Sequence, residues 1–430
     1  MANRIIYQSD ALYASKSVRS TGRIEHKQLR RIQSANYSFN VNRTDVNQFG
    51  ALARIDSTIL ETPTVSVDLT YLLGDGFNEL ALGFSPTSGT LSTGFISNQI
   101  SATSENATSG INLYMLTTPE GKDANVARTE KTNDYSTIGL GNCYLSDYSL
   151  DASVGDFPTI TVSLEGLNAN STTQVSGVTG LAGSVVEFGA GNILDTGAAA
   201  AGEIKDGSFD VARSAAGKPG SSVEINAGVK GFISGVGVDV TNGTQLATQG
   251  SGVILSAPSQ STGAAIVNAL KPGDMSLSLG NTKGFFKIGG GSSDGHIQSI
   301  SLSVPLSRTP IEKLGSTFAF ARVADFPITP TLSVSAVVNE TQDQALHDVI
   351  ANDSFIDELS FSFANTAGSK QVEYTLKNAK VESEAVSSSI GPNKTVDLTF
   401  SVTIGGPDDT TNNVFFSGIA AGPGGDQVFV

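Results

Sequence analysis

Side chains able to do chemistry are few and scattered in this sequence. The three histidines, His26, His296 and His347, stand far apart among polar neighbours with no HExxH or Cys–His spacing, so each reads as a surface residue rather than a metal ligand. Cys143 is the single cysteine; it cannot close an intrachain disulfide, and it reads as a small buried hydrophobe made in a reducing compartment. Asp408, Asp409, Asn412 and Asn413 offer oxygens to a divalent cation, but their spacing does not fit an EF-hand loop and an Asx-rich turn is the better reading. The glycine clusters Gly289–Gly291 and Gly422-Pro423-Gly424-Gly425 lack the Lys-Ser/Thr pair of a phosphate-binding loop and read as turns. Nothing places two of the 41 acidic residues across a cleft. The expectation is a protein that is not an enzyme, with no catalytic residues, no metal ligands and no cofactor.

The elements behind these residues are strands. Tyr37, Phe39 and Val41 alternate with polar residues, as do Val65, Val67, Leu69 and Tyr71, and Ile160, Val162 and Leu164. The same period of two recurs at Ile300–Leu306, Leu332–Val334, Leu359–Phe363 and Val396–Ile404, which predicts half-buried antiparallel strands. Asp75–Leu82 predicts a short capped helix, and Thr341-Gln342-Asp343-Gln344 a capping box before Leu346, Val349 and Ile350. With 430 residues the chain has room for two or three domains. No apolar run is long enough for a transmembrane helix, and Met1–Tyr7 lacks the apolar stretch of a secretory signal, so a soluble, unexported protein is expected.

Residues 32–50 and 297–315 align without gaps at an offset of 265, with seven of nineteen positions identical, Arg43/Arg308 and Thr44/Thr309 among them. The in-phase polarity makes chance a poor explanation. A two-residue shift would then bring Pro63–Val67 onto Pro330–Val334, and Tyr144–Ser149 would correspond to Tyr374–Ala379. The chain therefore divides into copy 1 (1–175), an intervening segment (176–265) and copy 2 (266–430). In the segment 18 of 90 residues are glycine, which leaves two readings open, a loosely packed β insertion or a flexible linker. Charge is uneven as well. Residues 1–31 carry seven basic side chains against Asp10 and Glu25, a net of +5, so from a total of -15 the remainder holds -20. That balance disfavours tight nucleic-acid or anionic-membrane binding and suits attraction between subunits.

On the phrase Leu29–Ser34 through Asn42–Gly50, on Pro63–Asp68, on Gly76–Glu79 and on the duplicated order of elements, the chain resembles bacteriophage major tail tube proteins of the long, two-domain kind. The resemblance covers roughly residues 1–175 and 266–430. It implies a mainly β fold of two tandem sandwich or barrel tube domains, each with one short flanking helix, and the Gly-rich insertion on the tube exterior. It further implies homotrimeric rings with pseudo-sixfold symmetry, stacked into a tube in the virion tail and assembled in the host cytoplasm. The expected partners are other copies, tape-measure, terminator and baseplate proteins, and passing double-stranded DNA without tight binding; no membrane is involved. Arg43, Thr44, Asp45, Arg308 and Thr309, on the loops 43–61 and 308–328 where the family stacks its rings, and Arg30 and Arg31 in the basic segment are the expected interface residues. Arg43 and Arg308 are expected to pair with carboxylates, or else to hold the loop within its own domain. The competing readings are a baseplate ring component, a capsid decoration protein, or a surface-layer or adhesin-like β protein.

Overall fold

The computed structural model describes residues 10–16, 26–59, 64–87, 91–117, 135–175, 275–279, 296–311, 321–337, 356–364, 370–387 and 394–418, with short pieces between 204 and 256 and at 286–287 and 340–341. The first set of elements is β1 (Asp10–Lys16), β2 (His26–Gln28), β3 (Ile32–Asn40), β4 (Arg43–Val46), β5 (Asp56–Ile59), β6 (Thr64–Leu72), α1 (Phe77–Ala81), α2 (Ser97–Ile100), α3 (Glu105–Ser109), β7 (Ile111–Thr117), β8 (Tyr135–Ser153), β9 (Thr159–Gly166) and β10 (Asn168–Val175). Short strands follow at β11 (Ile204–Lys205), β12 (Asp210–Val211), β13 (Ser222–Glu224), β14 (Lys230–Phe232) and β15 (Leu255–Ser256). The last set is β16 (Met275–Leu279), β17 (Phe286–Lys287), β18 (His296–Pro305), β19 (Arg308–Ile311), β20 (Ala321–Ala324), β21 (Thr331–Val337), β22 (Glu340–Thr341), β23 (Ile356–Ala364), β24 (Lys370–Ser387), β25 (Thr395–Ser401) and β26 (Val414–Gly418). The fold is mainly β, as expected, and apart from β15 on β2 the strands pair antiparallel.

The two large sets pair in the same pattern. β1–β7–β8–β9–β6–β3 with β10 on β8 is matched by β16–β23–β24–β25–β21–β18 with β26 on β24. The register agrees residue by residue. Tyr37 faces Val67 and Leu302 faces Leu332, both displaced by 265, and the bulge between Ile32 and Ser34 recurs between Ile297 and Ser299. In the following hairpin Leu150 faces Ile160 and Val386 faces Val396, both displaced by 236. There the bulge at Ser146 recurs at Glu382. Bulges are built-in features that fix register and add twist, so their coincidence is informative beyond strand order.

This register corrects two expectations. No two-residue shift follows the first match, because the hairpins β4–β5 and β19–β20 have equal length and Pro330 occupies the position of Val65 rather than of Pro63. Tyr144 matches Lys380, not Tyr374, and both segments lie inside long strands rather than leading into them. Those strands each serve two sheets. The first half of β8 pairs with β7 and β10 and its second half with β9. The turn between halves is made by Asn142 at φ 52, matched by Asn378 at φ 53, a left-handed conformation that asparagine tolerates better than most residues.

Alternation places Val65, Val67, Leu69 and Tyr71 of β6 in the core with Ile160, Val162 and Leu164 of β9, and Leu332, Val334 and Ala336 with Val396, Leu398 and Phe400 in the second set. Helix α1 lies where a helix was expected, and α2 and α3 are two further short helices of the first set. In the second set Thr341 belongs to β22, and the rest of the expected helix lies outside the described residues, as does most of the 176–265 segment. Val41, Val402 and Ile404 fall beyond the strands predicted to hold them. The basic segment folds inward at its end. Arg30 and Arg31 both pair with Asp75, at 2.8 and 3.0 Å, and Arg30 lies 3.9 Å over the Phe77 ring.

Candidate assembly interface

The two sets meet strand to strand. β18 pairs with β21 on one side and with the second half of β8 on the other, Leu302 facing Leu150 and Val304 facing Tyr148. All four side chains are fully buried. The seam is extended at its ends by Leu306 N–H donating to the Ser146 carbonyl and Val154 N–H to the Gln298 carbonyl, each at 2.9 Å. The result is one continuous sheet in the order β3–β6–β9–β8–β18–β21–β25–β24.

The hairpin β19–β20 reaches over this seam. Arg308 donates to the carbonyls of Leu145 (3.3 Å), Gln99 and Arg322 (3.4 Å) and lies 5.2 Å over the Tyr144 ring. Burial pulls its guanidinium down to about 10. Arg308 thus sits at a seam within one chain, and its hydrogen-bond partners are carbonyls where carboxylates were expected. A guanidinium has five donors, and the strand and helix ends beneath it present backbone oxygens. The carboxylate pairing belongs to Arg322, which is buried against Glu165. Thr309 donates to Asp325 at 3.0 Å. Sequence reasoning passed over Arg322 and Glu165 because neither stands in a motif.

Beneath the seam is a polar cluster inside an aromatic shell. Tyr71 donates to the Glu79 carboxylate at 2.9 Å, Tyr148 approaches the same oxygen at 3.5 Å, and the Tyr148 and Tyr374 hydroxyls lie 2.6 Å apart. Phe84 and Phe95 stack at 4.3 Å and meet Tyr148 edge-on. Burial lifts the Glu79 carboxyl to about 7 and raises the three phenols well above their usual value. Tyr374 comes from the second set, so the cluster ties the two sets together.

Each half of this seam has a counterpart that is left open among the described residues. β3 corresponds to β18 and pairs only with β6 among the described residues; the second half of β24 corresponds to that of β8 and pairs only with β25. Tyr37 and Phe39, predicted to be the buried face of their strand, are 41% and 67% exposed, whereas their counterparts Leu302 and Val304 are at 0%. Val386, the counterpart of Leu150, is 41% exposed. The hairpin β4–β5 with Arg43, Thr44 and Asp45 is exposed throughout β4, and Asp45 pairs with Arg54 at 3.0 Å. The structure therefore brings Arg308 and Thr309 to the seam, leaves Arg43, Thr44 and Asp45 on the open arm, and ties Arg30 and Arg31 to Asp75.

The non-core face of the eight-stranded sheet has a narrow composition. Its positions are mostly serine and threonine, such as Ser66, Thr161, Ser149, Ser301, Ser333 and Thr399, with the carboxylates Asp68, Asp147, Asp151, Glu165 and Asp397. Along the paired registers of these eight strands Lys380, opposite Ser401 at the end of the β24–β25 ladder, is the one lysine or arginine on that face among the described residues.

Among the described residues no group of acidic, histidine or cysteine side chains could hold a metal ion, and no helix is long and apolar enough to cross a membrane. The chain matches no protein-family model and no curated protein. Among solved structures it is similar to the tube-terminating cap of the anti-feeding prophage, with 12% identity, TM-score 0.26, and coverage of 37% of this chain and 99% of that one. It is also similar to a chain of the baseplate of that particle (12%, 0.22, 34% and 91%) and to Hcp1 of E. coli EAEC 042 (13%, 0.16, 34% and 98%). Likeness at these scores fixes neither fold nor role.

Proposed function

We propose that the chain is a structural protein of the tail-tube kind, two tandem copies of one β unit that join head to tail with other chains into a closed ring, the rings stacking into a hollow tube. The observation that carries this reading is the internal seam between β8 and β18, whose two halves recur, open, as β24 and β3. A contact that pairs one surface with a different surface of the next molecule is heterologous and generates a ring when its rotation closes. Closure also removes the two strand edges that would otherwise invite nonspecific pairing. Because each chain supplies two units, a sixfold set of units is a trimer. The apolar tip of the β4–β5 arm, with Phe49 and Leu52 fully exposed, is a surface for stacking one ring on the next.

The carboxylate-bearing serine and threonine face lines the lumen on this reading. A phosphate backbone approaching Asp68, Asp147, Asp151 and Asp397 is repelled, and small hydroxyl side chains give it nothing to stack on. That suits a conduit for DNA leaving a capsid. Negative-stain electron microscopy of the purified protein tests the proposal: hollow tubes built of threefold rings are expected, and a protein that stays monomeric at high concentration rejects it. Rings that never stack would favour a baseplate component instead.

A further inference from the structure

Transposing the internal seam onto the two open edges shows where the joint between chains must differ from the joint within one. With the offsets of 265 for β3–β6 against β18–β21 and 236 for β8–β9 against β24–β25, Arg43 takes the place of Arg308 and Val381 the place of Leu145. Tyr144, which underlies the Arg308 guanidinium, is replaced by Lys380. The ion pair Arg322–Glu165 is replaced by Ser57 and Ser401, two hydroxyls. The joint between chains thus loses both the aromatic platform and the buried ion pair. One substitution runs the other way. The bulged residue beside the carbonyl that receives the arginine is Ser146 in the internal seam and Glu382 in β24, where it is exposed and accepts a hydrogen bond from Ser401.

We infer that Arg43 of one chain pairs with Glu382 of the next, so that each inter-chain joint carries one arginine–carboxylate pair moved from the Arg322–Glu165 position to the bulge. The inference rests on the ring assembly proposed above and adds to it the residues that set partner and register. Arg43 lies on an arm exposed along β4, and a bulge turns its extra side chain away from the ladder, where an incoming guanidinium can reach it. Because the pair sits at the rim, it selects and orients the partner more than it adds affinity, and the joint between chains responds to salt in a way that the buried internal seam does not.

A charge exchange in the full-length chain tests this, read as assembly by sedimentation velocity at low salt. Glu382→Arg gathers the new arginine with Arg43 and Lys380 and is expected to weaken assembly by about tenfold or more, while Arg43→Glu opposes Glu382 but also faces Lys380 and is expected to weaken it by about threefold or more. The double variant R43E/E382R is expected to return it to within about threefold of the starting protein. Single variants that assemble normally, or a double variant that fails to recover, overturn the pairing. Tyr37→Pro, which removes a backbone donor that points away from β6 at the open edge, as that of Leu302 points to β8 in the internal seam, tests ring closure separately: if it assembles like the unaltered chain, edge-to-edge ring closure itself is rejected along with the pairing.

Discussion

Phe39 is the residue whose replacement isolates the open edge. It is 67% exposed on β3, while Val304, at the same position of the internal seam, is completely buried. A phenylalanine side chain presents roughly 200 Å², of which about 130 Å² would leave water on closure, worth about 3 kcal/mol at ~25 cal/mol/Å² as an upper figure. Threonine keeps the strand preference and a single methyl, so Phe39→Thr is expected to weaken each joint by roughly 2–3 kcal/mol, or about 30- to 150-fold in association constant. The unassembled chain should be nearly indifferent, since an exposed substitution costs within about 0.5 kcal/mol. Sedimentation velocity over a concentration series reads the first quantity and urea unfolding under dissociating conditions the second. Assembly unchanged within about threefold would refute the burial of Phe39 in a joint. A large loss of fold stability would show instead that Phe39 serves its own domain.

Two further predictions concern the buried groups at the internal seam. The Glu79 carboxyl rises from its ordinary 4.5 to about 7 by burial, so the folded state holds a proton that the unfolded state has lost between those values. Its contribution is complete below about 4.5 and fades as pH rises toward 7, by up to about 3 kcal/mol. Glu79→Gln is therefore expected to gain stability over the parent protein between pH 5 and 8, measured by urea midpoints; a difference that does not change with pH contradicts this. Glu165→Ala leaves Arg322 buried without its carboxylate and is expected to cost roughly 2–4 kcal/mol, since Glu165 keeps some solvent contact. Loss of less than 0.5 kcal/mol, the scale of an ordinary surface change, would show that the pair is screened.

The strand set was legible in the sequence because burial on one face of a sheet writes a period of two, and β6, β9, β21 and β25 carry it nearly without interruption. The Ile-Gln-Ser and Arg-Thr matches were legible because they fix a bulge and the base of a hairpin, where backbone geometry constrains the residue. The same alternation misled at Tyr37 and Phe39. An apolar side chain that waits for a neighbour has the same pattern as one in the core of its own domain. The match of Tyr144 to Tyr374 failed because identity of one aromatic outweighed register, which is set by the left-handed asparagines and the bulges. Arg322, Glu165 and Glu79 left no sequence signal, since a buried ion pair and a buried acid are made by tertiary approach of segments far apart in the chain.

The central claim is that β3 of one chain continues the sheet at β24 of another in the register of the internal seam. In that register Ser38 lies opposite Ala385, as Ser303 lies opposite Ser149. Directly opposed residues of an antiparallel pair have Cα atoms about 4.5–5.5 Å apart, within reach of a disulfide. The native thiol will not interfere, because Cys143 is buried and its pKa is pushed up to about 12. Oxidation of the Ser38→Cys/Ala385→Cys double variant, followed by non-reducing electrophoresis, should yield covalent species ending at a closed trimer. Neither single variant should give more than a trace. If the double variant stays at the mass of one chain while the internal control Ser149→Cys/Ser303→Cys closes its bridge, chains do not join at these edges.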